Sequence, residues 1–127
     1  MSSREINLKE KFRIALTSTA KVISEDFDLN KKSEKNKSED KNSIDIDNIN
    51  SPSDFIRLRA ETDSSALKKK FSNDDIYRKN LPGNNSCKSL YSIAEKIRYE
   101  ALGGKMLKGI EKNFHDNYSQ IINLKIL

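Results

Sequence analysis

The stretch NKKSEKNKSEDKNS, from Asn30 to Ser43, contains not one apolar residue. Such a run cannot bury enough apolar surface to offset the entropy of ordering its backbone, so it is expected to form a charged loop outside any core. It splits the 127-residue chain into residues 1–29, a low-complexity segment over 30–50, and a remainder over 51–127. Phe27 and Leu29 on one side, and Ile44 and Ile46 on the other, alternate with polar residues. That pattern allows a short β-hairpin at the base of the loop. An isolated two-stranded ribbon is marginally stable, so helices must carry the fold. About 100 residues remain outside the loop, enough for the modest core of one domain.

Helical periodicity runs through those residues. Leu8, Phe12, Ala15, Leu16, Ala20 and Ile23 make one apolar stripe over residues 4–24. Ser51-Pro52-Ser53-Asp54 is a helix start, with a hydroxyl at the N-cap, proline at the first helical position and a carboxylate that reaches back. The helix that follows is expected to reach Lys70. Phe55, Leu58, Thr62 and Ala66 line one face, beside Ile56, Ala60, Asp63 and Leu67. Lys68-Lys69-Lys70 in its last turn complements the helix dipole. A short helix from about Asp74 to Asn80 precedes the turn Leu81-Pro82-Gly83-Asn84-Asn85. A third long helix opens at Ser86 with the stripe Leu90, Ile93, Ala94, Ile97, Ala101, Leu102. Gly103-Gly104 is expected to stop it in a left-handed conformation. A last helix runs from about Lys105 to Leu124 through Ile110, Phe114, Tyr118 and Ile121. The fold class is therefore mainly α: a small bundle of about four helices with a long charged loop.

Few chemistries survive inspection. Gly104-Lys105 lacks the upstream glycine of a P-loop and is followed by Met106 rather than serine or threonine. Asp63-Ser64-Ser65-Ala66-Leu67 has a leucine where an Asp-x-Ser-x-Ser adhesion site needs its second serine. His115 and Cys87 are single residues of their types, too few for a zinc site or a nucleophile–base–orienter set. One cysteine forms no internal disulfide and fits a reducing cytoplasm. No apolar stretch approaches the roughly 20 residues of a membrane span. The net charge of +5 points to an anionic partner, but lysines and acids are mixed along the chain, which disfavours nucleic acid. No catalytic, cofactor-binding or metal-ligating set emerges, and a stand-alone helical adaptor or nucleic-acid-binding module is the alternative that composition leaves open.

Three segments carry a resemblance. FRIALTSTAKVIS at 12–24, IRLRAETDSSALKKKF at 56–71 and SIAEKIRYEALGGKMLKGIEKNF at 92–114 resemble, in order and spacing, the N-terminal region of the T subunit of the aerobic cobaltochelatase. The last is the most specific, through Glu95, Arg98, Glu100, Ala101, Leu102, Gly103, Met106, Gly109 and Asn113. The resemblance implies a part in cobalamin biosynthesis, in a complex that inserts cobalt into a corrin ring at the expense of ATP. Its implied partners are an AAA+ ATPase subunit and a large corrin-binding subunit, which would handle ATP, magnesium and cobalt, with no cofactor bound by this chain. Family members are longer, with an acidic linker and a von Willebrand-type domain bearing a metal-binding adhesion site. The chain is accordingly expected to be a non-catalytic, cytoplasmic piece that works by contact. Arg98 and Glu100 are the first candidates for interface or internal bracing, with Arg57 and Asp63 placed to face them from the preceding long helix, and Gly103 and Gly104 at the corner.

Overall fold

A computed structural model describes residues 3–26 and 49–126. The expected hairpin and the body of the charged loop lie outside these residues. Among the described residues there are five helices and no strand: α1 (Ser3–Ser24), α2 (Pro52–Phe71), α3 (Asp74–Lys79), α4 (Asn85–Met106) and α5 (Lys108–Ile126). The protein is a small, mainly α bundle.

The start of α2 follows from its sequence. Pro52 occupies the first turn. The Asp54 carboxylate accepts hydrogen bonds from the Asn50 and Ser51 amides at 3.0 and 3.1 Å and from the Ser51 hydroxyl at 3.1 Å. These bonds satisfy donors that the helix itself cannot reach. They also hold the Asp54 pKa below its ordinary value, the bond from Asn50 being the largest cause. Asn73 and Asn84 cap α3 and α4 from the N-cap position, each side chain accepting from two backbone amides that follow it.

Helix α2 is the centre of the bundle, and α1, α4 and α5 all pack on it. Phe12 meets Phe55 edge-on, with ring centroids 4.8 Å apart. Glu25 meets Lys70 at 2.6 Å. The first contact joins the middle of α1 to the start of α2 and the second joins their ends, so α1 and α2 run parallel. Asn113 bonds Asp63, and Gln120 bonds the Ser53 carbonyl, so α5 runs antiparallel to α2. Helix α4 crosses α2 at Leu67, the most deeply buried side chain of the core. Around it lie Ala20, Ile23, Ala60, Ala66, Tyr99, Ile110 and Phe114. Leu16 and Ile49 are also buried. Ile49 belongs to the segment assigned to the loop, and its single apolar side chain gave no period to read.

The structure corrects the α4–α5 corner and shows how the apolar stripes of α1 and α4 are covered. The glycine pair does not end α4. The helix continues through Gly103 and Gly104 to Met106 and breaks at Leu107, whose φ of −139° and ψ of 120° are extended. No glycine among the described residues has positive φ. The following helix starts at Lys108 rather than Lys105. The stripe on α1 is buried only in its second half. Leu16, Ala20 and Ile23 are in the core, Phe12 is half-buried, and Leu8 and Ala15 face outward. The stripe on α4 faces the wrong way for a core. Leu90, Ile93, Ala94, Ile97 and Ala101 are exposed, while Tyr99, Glu100, Gly103 and Gly104 are buried. Periodicity identifies an apolar face but not what covers it. What seats α4 is its smallest surface, because Gly103 lets the helix approach Leu67 closely.

Candidate functional site: a carboxylate-braced groove between α4 and α5

The site is built from the antiparallel pair α4–α5. Gly104 lies under Glu111, where an added Cβ would meet the Glu111 Cβ at 3.4 Å. Leu107, the one residue between α4 and α5, is extended, and α5 then folds back along α4. Between the two helices runs an open groove of about 450 Å³, with Ile97 and Ala101 on one wall and Phe114 and Tyr118 on the other. Lys105 and Glu111 stand at its closed end.

Glu100 forms the floor. It is only 7% exposed. The Ser64 hydroxyl donates to its Oε1 at 2.7 Å, and the Tyr118 hydroxyl donates to its Oε2 at 2.6 Å. Lys96 Nζ approaches Oε1 at 3.9 Å. A buried carboxylate is tolerated when its lone pairs are filled in this way. The network links α2, α4 and α5 through one side chain. Burial and the bond to Glu100 together raise the Tyr118 pKa well above its ordinary value, burial being the larger cause. Tyr118 is therefore a donor at physiological pH. Burial also raises the Tyr99 pKa.

A second polar contact lies deeper. Asp63 is 2% exposed and accepts a 2.7 Å bond from Asn113 Nδ2. Burial raises its pKa, against the opposing influences of Asn113 and of Arg59 one turn earlier. A third lies at the rim of α2. Arg98 Nη2 donates to the Phe71 carbonyl at 2.7 Å. Its guanidinium is held by Glu95 at 2.6 and 2.9 Å. Glu95 also accepts from the Ser72 hydroxyl at 3.0 Å. The positive group thus closes the C-terminal end of α2, where the helix carries unsatisfied carbonyls and partial negative charge. Arg98 lowers the Glu95 pKa.

The sequence candidates therefore separate. Arg98 and Glu100, two residues apart, point to different sides of α4 and serve different neighbours. Arg57 does not face them: it is exposed and pairs along its own helix with Glu61 at 3.4 Å and Asp54 at 3.7 Å. Asp63 finds an asparagine instead of an arginine, because α5 and not α4 covers that face of α2. Gly103 and Gly104 are close-packing points. Ser64, Glu95, Asn113 and Tyr118 complete the networks, as partners that sequence reasoning misses. Their signal was present in part, since small polar residues inside the wide apolar stripe of α2 must find partners when buried. His115 and Cys87 are exposed. Tyr91 packs on Tyr77 with centroids 5.0 Å apart.

Among the described residues, no three His, Cys, Asp or Glu side chains are grouped so as to hold a metal ion, and no helix is long and apolar enough to cross a membrane. Every polar side chain of the two buried networks is committed to another helix. The arrangement braces the bundle. Comparison with curated proteins and with solved structures gives no match. The family described as "Cobalamin biosynthesis protein CobT" does match, over residues 7–124. That span takes in all three segments that resemble the cobaltochelatase T subunit and reaches from the second turn of α1 to near the end of α5, and the chain belongs to the CobT family.

Proposed function

We propose that the chain acts as a non-catalytic N-terminal part of the T subunit of the ATP-dependent aerobic cobaltochelatase, working through protein–protein contacts in the cytoplasm. The match over residues 7–124 carries this reading. The geometry is consistent with it. The ionisable residues inside the bundle hold helices together, and the surface left over is an apolar groove suited to another protein. The AAA+ ATPase subunit and the large corrin-binding subunit are the partners this reading requires. ATP and magnesium would act on the ATPase, and cobalt is the substrate of the assembled complex.

Co-purification tests the proposal. The chain, folded by circular dichroism, is mixed with the ATPase subunit and with the large subunit, with and without ATP. Retention with either is the expected result. A folded chain that associates with neither under any nucleotide condition overturns it.

A further inference from the structure

Helix α4 has two apolar faces, and the bundle uses only one. The unused face carries Leu90, Ile93 and Ile97, which are 68%, 56% and 61% exposed. With Ala94 and Ala101 they recur every three or four residues and so form a straight ridge along about three turns. Across the groove, Tyr118, Ile121 and Ile122 on α5 are also exposed. Phe114 lies buried below them. The result is a trough with one apolar wall from each helix. A contiguous apolar surface of this kind marks an interaction site, and its shape fits one further helix laid between two.

The charges around the trough select the occupant. The Glu100 carboxylate is buried and taken by Ser64 and Tyr118. Glu95 is held by Arg98 and Ser72. Lys96 leans on Glu100, which leaves Lys105 and Glu111 in the groove lining and the exposed Lys125 beyond it. Lys125 shares the helix face of Tyr118 and Ile121 by its spacing of seven and four. A second copy would bring its own lysines and its own net charge of +5 to the same border, which opposes face-to-face pairing. An amphipathic helix with an apolar ridge and acidic flanks meets both the walls and the rim. We propose that the α4–α5 trough is the docking site for such an acidic-flanked amphipathic helix on a partner protein. This deepens the contact role proposed above and rests on it.

The test uses the full chain and two synthetic helical peptides with the same Leu/Ile ridge, one flanked by glutamates and one by lysines. Fluorescence anisotropy is read at low and at high salt. The acidic peptide should bind at least tenfold more tightly than the basic one at low salt, and the preference should shrink as salt screens the rim. Ile97→Asp and Ile93→Glu, both at exposed positions, should each abolish binding while leaving the circular dichroism spectrum and melting temperature unchanged. Equal binding of the two peptides overturns the proposal, as does binding of neither, or binding indifferent to both substitutions. Sedimentation that shows a dimer dissolved by Ile97→Asp also overturns it, by giving the face to a second copy. The two readings fail separately. A chain that still retains the cobaltochelatase subunits after Ile97→Asp refutes this face and spares the contact role. A chain that binds the acidic peptide here but retains neither subunit does the reverse.

Discussion

A Cβ added to Gly103 would lie 2.3 Å from Cδ1 of Leu67 and 2.5 Å from its Cδ2. Non-bonded carbon atoms do not sit that close, and Leu67 has no room to retreat, being fully enclosed by the core. Gly103→Ala therefore sets two effects against each other. Alanine favours a helix interior over glycine by about 1 kcal/mol. Overpacking a closed core costs about 1–3 kcal/mol. The clash should win, with a net loss of about 1 kcal/mol or more and a fall of a few degrees in melting temperature. Gly109 is the control. A Cβ there would meet nothing within 4 Å, so Gly109→Ala should stabilise by a few tenths of a kcal/mol or more. Thermal melts of the two variants should move in opposite directions.

The Glu100 network should behave as a unit. Tyr118→Phe removes one donor to a buried carboxylate and Ser64→Ala removes the other. Each should cost about 1–3 kcal/mol, because the acceptor left behind is buried. The double variant should depart from the sum of the singles by about 0.5 kcal/mol or more. Urea denaturation of the four-member cycle measures this, and strict additivity would show that the two hydroxyls act independently.

Asp63 sets a pH dependence of unusual sign. Burial raises its folded pKa. Its contribution is thus complete below the unfolded value, about 3.9, and is lost as pH rises through the folded value. Glu95, Asp54 and Glu25 work the other way. Their folded pKa values are lowered, so the stability they add is present above the unfolded carboxylate value and lost on acidification. Asp63→Asn keeps an oxygen for the Asn113 amide and removes the buried charge. The variant should be more stable than the parent at pH 7, and the gap should close as pH falls below about 4. Chemical denaturation at pH 3.5, 5 and 7 follows the difference directly.

Arg98 should prove to be a brace whose geometry matters as much as its charge. Its fork joins Glu95 to the Phe71 carbonyl. Arg98→Ala should cost about 0.5–1.5 kcal/mol, the usual net worth of such a bond. Arg98→Lys should recover less than half, since an ammonium is not a planar fork. Because the trough lies on another side of α4, peptide binding there should survive both changes.

Much of this architecture can be read from local rules. The Ser51-Pro52-Ser53-Asp54 cap, the lysine-rich end of α2 and the short α3 all follow from a few neighbouring residues, and the structure places them as expected. The failures share a cause: each depends on a residue distant in sequence. Gly103-Gly104 looks like a helix stop until Leu67 is known to lie against it. Leu90, Ile93 and Ile97 look like core until α4 is seen to seat itself by its glycines and tyrosine. Arg57 and Asp63 meet other partners than α4, and nothing local says that α5 lies over Asp63. Resemblance pointed to the family that the match over residues 7–124 shows, whereas the side-chain inventory named no reaction.

The parallel run of α1 and α2 has a consequence for the segment between them. Two helices that follow one another in sequence and point the same way cannot share a tight turn. The chain leaves α1 beside the end of α2 and must return to its beginning. Helix α2 has 20 residues, so the return spans about 30 Å at 1.5 Å per residue. A fully stretched chain covers at most about 3.3–3.6 Å per residue, which sets a floor of about nine residues. The connection from Glu25 to Ser51 supplies 27. Reach is therefore the property this segment must keep. A tether of a dozen unrelated polar residues should still let α1 dock on α2, and one of six should hold them apart.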